Sequence, residues 1–164
     1  MNRAFKGVMA LSLSLVVAGG GTTRAGASAQ APFRAHFEVA MSLTPDPECG
    51  GFRVSGAGAG KATRMGRATL IVDECVDFVR EPGRVHVYGS LVLTAANGDE
   101  VRVWADKVGD PPGPNGDAHV AGPYLVTAGT GRFSGATGAG ITSTDANVVS
   151  STAIAELVGS LRRA

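Results

Sequence analysis

Phe33-Arg34-Ala35-His36-Phe37-Glu38-Val39-Ala40-Met41-Ser42-Leu43 alternates with a period of two. Phe33, Ala35, Phe37, Val39, Met41 and Leu43 share one face, while Arg34, His36, Glu38 and Ser42 lie on the other. Side chains of a strand point alternately to opposite faces, so this stretch predicts a half-buried strand. Segments of similar character follow at 52–60, 66–76, 85–95, 100–108, 118–128, 135–146 and 150–161. Turn residues separate them: Pro45-Asp46-Pro47, Glu81-Pro82-Gly83, Asn97-Gly98 and the loop 109–116. Only the last segment also fits a helix, through Ile154, Leu157, Val158 and Leu161.

About eight short strands imply an all-β, antiparallel chain, as an up-and-down barrel or a sandwich. A barrel has no open edges to aggregate, and it is the expected architecture. The 24 glycines in 164 residues are about twice the usual share of roughly 7%. They follow no three-residue period, which excludes a collagen helix. Strand glycines such as Gly56, Gly58 and Gly60 permit tight coiling or close backbone approach. Fifteen basic against 14 acidic residues do not make the basic surface of a nucleic-acid binder.

Residues 1–29 read as an export signal. Arg3 and Lys6 precede an apolar stretch from Val8 to Val17, and Ala27-Ser28-Ala29 fits small-x-small cleavage before Gln30. Ala25-Gly26-Ala27 is the alternative site, and a buried helix is the alternative reading of the stretch. The stretch is shorter than the about 20 apolar residues that span a bilayer. No Cys follows it to carry a lipid anchor. Cleavage would leave 30–164 as one barrel domain of 135 residues with a net charge of −2 and no membrane-spanning segment, secreted or periplasmic. In an oxidising compartment Cys49 and Cys75 are expected to form a disulfide; two buried thiols are the alternative.

Two hairpins can be registered on paper. Setting Cys49 opposite Cys75 puts the loop at Lys61-Ala62-Thr63 and brings Phe52 to Val72, Val54 to Leu70 and Gly56 to Ala68. Arg53, Ser55, Arg67, Thr69 and Ile71 gather on the other side, and a one-residue slip would mix the faces. Asn97-Gly98 is the preferred pair for a two-residue type I′ turn. That turn sets Leu91 opposite Trp104, Leu93 opposite Arg102 and Gly89 opposite Asp106. This face carries the sole Trp and is expected to point inward. Phe37, Leu91, Arg102, Trp104 and Asp106 are thus candidate lumen residues. Asp106, facing a glycine on an apolar surface, is a candidate acid or base. Alternatively it lies in water at the barrel mouth or pairs with Arg102.

The segment from Gly122 to Gly138 contains Gly129-Thr130-Gly131-Arg132-Phe133 followed by Gly135-Ala136-Thr137-Gly138. It resembles the allene oxide cyclase and dirigent barrel superfamily, in which a strand ends in a Gly-Thr/Ser-Gly-x-Phe turn before a small-residue strand. Ala95-Ala96-Asn97-Gly98-Asp99 and the stretch 58–66 also resemble bacterial exported barrels of this type. The resemblance spans 33–161 and implies a barrel that shapes a pocket around a reactive substrate. It also implies that a trimer is possible, although the residues themselves leave the oligomeric state open. The cyclases' polar positioning residues have no counterpart here, so none is carried over. Phe133 is expected to fold inward and plug one barrel end.

Other chemistry lacks its residues. The stretch 55–62 is not a phosphate loop: Ser55 replaces the first Gly, Ala62 replaces the Ser/Thr, and a strand rather than a helix follows. His36, His86 and His119 lie far apart on outer strand faces, so no metal site is expected. No Gly-x-Ser-x-Gly nucleophile elbow occurs. No cofactor is expected. The leading expectation is a barrel that binds a small apolar molecule. The alternatives are a cyclase or isomerase that confines a reactive substrate, and a structural or interaction barrel with a filled core.

Overall fold

A computed structural model describes residues 31–164. The expected export signal and its cleavage before Gln30 lie outside the described residues. Eight strands follow in chain order: β1 (Ala31–Asp46), β2 (Gly51–Ala62), β3 (Gly66–Asp77), β4 (Val85–Ala95), β5 (Glu100–Gly109), β6 (Asp117–Gly129), β7 (Thr137–Asn147) and β8 (Thr152–Arg162). Each pairs antiparallel with the next, and β8 pairs back onto β1, closing the barrel. The last segment is therefore a strand: Leu157 and Leu161 are fully buried while Ile154 and Val158 point outward.

The β1 alternation survives intact, with Phe33, Ala35, Phe37 and Val39 all buried. Opposite them run the glycines of β2: Phe37 pairs with Gly60, Val39 with Gly58 and Met41 with Gly56. A Cβ on Gly60 would collide with the His36 carbonyl oxygen, so the two strands approach as closely as they do because that side chain is missing.

One barrel end is sealed. Phe33 and Met65 are buried there. Phe133, in the short 3₁₀ turn Gly131–Phe133, is fully buried as expected. The Arg132 and Arg163 guanidinium groups sit 5.4 and 5.9 Å from the centre of its ring. At the opposite end lie the β1–β2, β3–β4, β5–β6 and β7–β8 connections.

Cys49 and Cys75 form a disulfide with Cα atoms 5.0 Å apart, but they are not cross-strand partners. Arg53 stands opposite Cys75, and Phe52 opposite Val76. The register differs by four residues from the one expected, and the loop is 63–65 rather than Lys61-Ala62-Thr63. Cys49 reaches Cys75 from the 3₁₀ turn Pro47–Cys49 that follows β1. An even shift leaves every side chain on its expected face. Phe52, Val54 and Gly56 still face inward, and Arg53, Ser55 and Ile71 outward.

The second hairpin departs by one residue, and the consequence is larger. Ala95 N donates to Asp99 O and Gly98 N to Ala95 O, both at 2.9 Å. The loop is thus Ala96-Asn97-Gly98, three residues ending in a left-handed glycine with φ of 87°. A type I′ turn would also need positive φ at Asn97, which does not have it. Leu91 pairs with Val103, Leu93 with Val101, and Gly89 with Ala105. An odd shift turns all of β5 over. Val101, Val103, Ala105 and Lys107 face inward, and Arg102, Trp104 and Asp106 face outward.

The sole tryptophan reports this register. Trp104 is 48% exposed. Its emission should be readily quenched by iodide in the native protein. An indole screened from iodide would put β5 in the other register.

Candidate ligand site at the open end of the barrel

Inward positions along β3 read Ala68, Leu70, Val72, Glu74, Val76, and along β5 they read Val101, Val103, Ala105, Lys107. The two charged members meet inside. Lys107 Nζ donates to Glu74 Oε2 at 2.9 Å and to Thr144 Oγ1 of β7 at 3.1 Å. The side chains of Glu74 and Lys107 are 4% and 2% exposed. Glu74 stands opposite Gly89 of β4. A Cβ on Gly89 would clash with the Asp73 carbonyl oxygen and lie 2.6 Å from the Glu74 Cα. The glycine lets β4 press against β3 where the acid turns inward.

The ion pair forms the floor of an apolar cavity of about 90 Å³ that opens at the unplugged end. Met41, Leu43, Val54, Val87 and Val120 are among its walls, and Phe78, Pro112 and Val148 bring the end loops to its mouth. A second space of about 30 Å³, bounded by Leu91 and Ala155, lies against the same three polar residues. Phe78 is held in place by Phe52, edge-to-face at 6.2 Å, and by the turn beneath it. Asp77 Oδ1 accepts from Val79 N and Arg80 N at 2.7 and 3.0 Å. Those two backbone bonds hold the Asp77 carboxyl below the usual carboxylate range.

Of the residues proposed from sequence for the lumen, Phe37 and Leu91 are inside, with Leu91 beside the ion pair. Arg102, Trp104 and Asp106 are not. Arg102 pairs on the outer wall with Glu100 at 3.0 Å, and half-exposed Asp106 with Arg80 at 3.4 Å. The three-residue turn put them there by reversing the faces of β5. A carboxylate does face Gly89, but it comes from β3, not from Asp106. The signal was available. Val101, Val103 and Ala105 alternate against Arg102, Trp104 and Asp106, a pattern that by itself turns the Trp outward. Leu70, Val72 and Val76 likewise carry Glu74 on their own face.

His36, His86 and His119 all lie on the outer face, each beside an acid: Glu156, Glu81 and Asp145. Among the described residues no cluster of His, Cys, Asp or Glu has the arrangement to hold a metal ion. A larger open depression of about 520 Å³ lies on the outer wall, between Ala40, Asp117 and Ile154. Its size exceeds that of the lumen cavity, but no orphaned buried polar atom faces it.

Three buried side-chain atoms among the described residues lack a hydrogen-bond partner: Glu74 Oε1, Arg84 Nε and Tyr124 Oη. Tyr124 is buried in the lumen wall with its ring against Gly140 and its hydroxyl against Gly159. Burial pushes its phenol up to about 12.

No protein-family model matches this sequence, and no curated protein matches it. Among solved structures the chain is similar to a pterocarpan synthase dirigent protein, with a TM-score of 0.51 and 13% identity. The match covers 96% of this chain and 99% of that one. At that identity the likeness is one of fold: a dirigent-type eight-stranded barrel.

Lys107→Met leaves the Glu74 carboxylate buried and alone, and should cost about 3–5 kcal/mol in urea unfolding. Glu74→Leu with Lys107→Met should be near neutral or stabilising, because two desolvated charges are removed together. The Tyr124 phenol ionises later in the folded chain than in the unfolded one. Its contribution is therefore complete below about pH 10 and is lost as pH rises towards 12. Between pH 8 and 11 the native protein should lose about 1 kcal/mol more stability than Tyr124→Phe. Equal losses in the two would contradict the assignment.

Proposed function

We propose that this chain is an exported barrel that binds a small, mainly apolar molecule through its open end. The observation that carries this reading is the asymmetry of the lumen. Phe33, Met65 and Phe133 fill one end, while the other keeps an apolar cavity framed by loops. Apolar walls around a few convergent polar groups are the usual make-up of a small-molecule site. A volume of about 90 Å³ holds only part of a drug-sized ligand. The inserted portion is therefore a ring or a short chain, and the rest of a larger ligand would project between the loops. Export is supported by the disulfide, which is typical of oxidising compartments. No helix among the described residues is long and apolar enough to cross a membrane.

The similar solved structure is that of a pterocarpan synthase, so a second reading is chemistry on a confined molecule. Confinement chemistry in this chain would have to use Glu74 and Lys107, since Asp106 and Arg102 lie outside the lumen.

Benzene is a sufficient probe. Added to buffer near its solubility limit, it should shift the NMR signals of the Val85, Val87 and Val120 methyls. Ala118→Trp, which fills the mouth, should abolish those shifts with the far-ultraviolet circular dichroism unchanged. Methyl signals indifferent to benzene in the native protein would refute the binding reading.

A further inference from the structure

We infer that the lumen is built to receive a neutral hydroxyl group, donated to Glu74 Oε1, on an otherwise apolar ligand. The inference rests on the reading of the barrel as a binding protein and states the ligand class for the same cavity.

Glu74 Oε1 is buried, has no hydrogen-bond partner and belongs to a side chain that lines both lumen spaces. Of the three residues that carry an orphaned atom, Glu74 alone lines the lumen spaces. The Tyr124 hydroxyl is pressed against Gly159, and the Arg84 side chain, in the β3–β4 connection, is 41% exposed and pairs with Asp110. An acceptor of this kind, desolvated and unpaired, is costly to leave without a donor. Its carboxylate partner Oε2 is already taken by Lys107.

The remaining polar capacity defines the head group. The ion pair is charge-balanced within itself, so a carboxylate or an ammonium on the ligand would bring an uncompensated charge into an apolar cavity. A hydroxyl brings none. It can donate to Oε1, and it can accept from the Thr144 hydroxyl or from the Lys107 N–H not committed to Glu74 and Thr144. The apolar remainder of the ligand would then lie along Met41, Val54, Val87 and Val120 toward the mouth.

Hexan-1-ol and its isomer 1-methoxypentane have the same atoms, but only the alcohol can donate. Dissociation constants from methyl shifts at Val87 and Val120 should favour the alcohol by about 10- to 100-fold, the worth of a hydrogen bond to a charged group. Hexanoate should bind more weakly than the alcohol. In Glu74→Leu with Lys107→Met, which is expected to fold, the alcohol and ether should bind equally. Equal affinities in the native protein would overturn the hydroxyl assignment and leave an ordered water as the occupant of Oε1, with apolar binding intact. A preference that persists in the double variant would also overturn it. If neither these ligands nor benzene moved the mouth methyls, the binding reading and this inference would fall together.

Discussion

Pairing of β8 with β1 is the constraint on which the rest of the molecule depends. It turns an eight-stranded sheet into a cylinder, and a cylinder has an inside and an outside face. Once the sheet is closed, every strand must commit one of its two faces to the lumen, and that commitment is a matter of parity. Seven hairpin connections transmit it around the barrel. A connection of one length or another therefore decides the chemistry of the interior as much as its composition does.

The β4–β5 turn shows the scale of this effect. A three-residue loop ending in Gly98 replaces the two-residue turn, and β5 rolls over by one position. Trp104 moves to the outer wall, where it stands beside Leu125 of β6. Lys107 moves inside, where Glu74 already faces Gly89. Buried ion pairs of this kind carry a desolvation cost that their mutual attraction need not repay. A barrel needing only a filled core would be served by two leucines. The pair instead lies beneath an apolar mouth with one carboxylate oxygen unpartnered.

Much of this is legible in the sequence. All eight strands fall within a few residues of their expected limits, because the period-two pattern and the Pro, Gly and Asn turn signals agree along the chain. The first hairpin was misplaced by four residues yet kept its faces, since an even shift preserves parity. The second was misplaced by one and lost them. Asn97-Gly98 satisfies the preferences of both a type I′ turn and a type I turn with a glycine bulge, and nothing local separates the two. The sole tryptophan and the alternation of Val101, Val103 and Ala105 point to opposite faces, and the structure follows the alternation.

The amino-acid order by itself determined the strand pattern, the candidate disulfide and the glycine stripe that lets β1 approach β2 closely. These follow from side-chain periodicity and backbone permissiveness, which are local properties. Only the tertiary structure decided which cross-strand register each turn adopted, how Cys49 reaches Cys75 from outside the ladder, and that Glu74, Lys107 and Thr144 converge. Those three come from strands far apart in sequence. Their meeting depends on closure and on the summed parity of several turns, and no window of neighbouring residues contains that information.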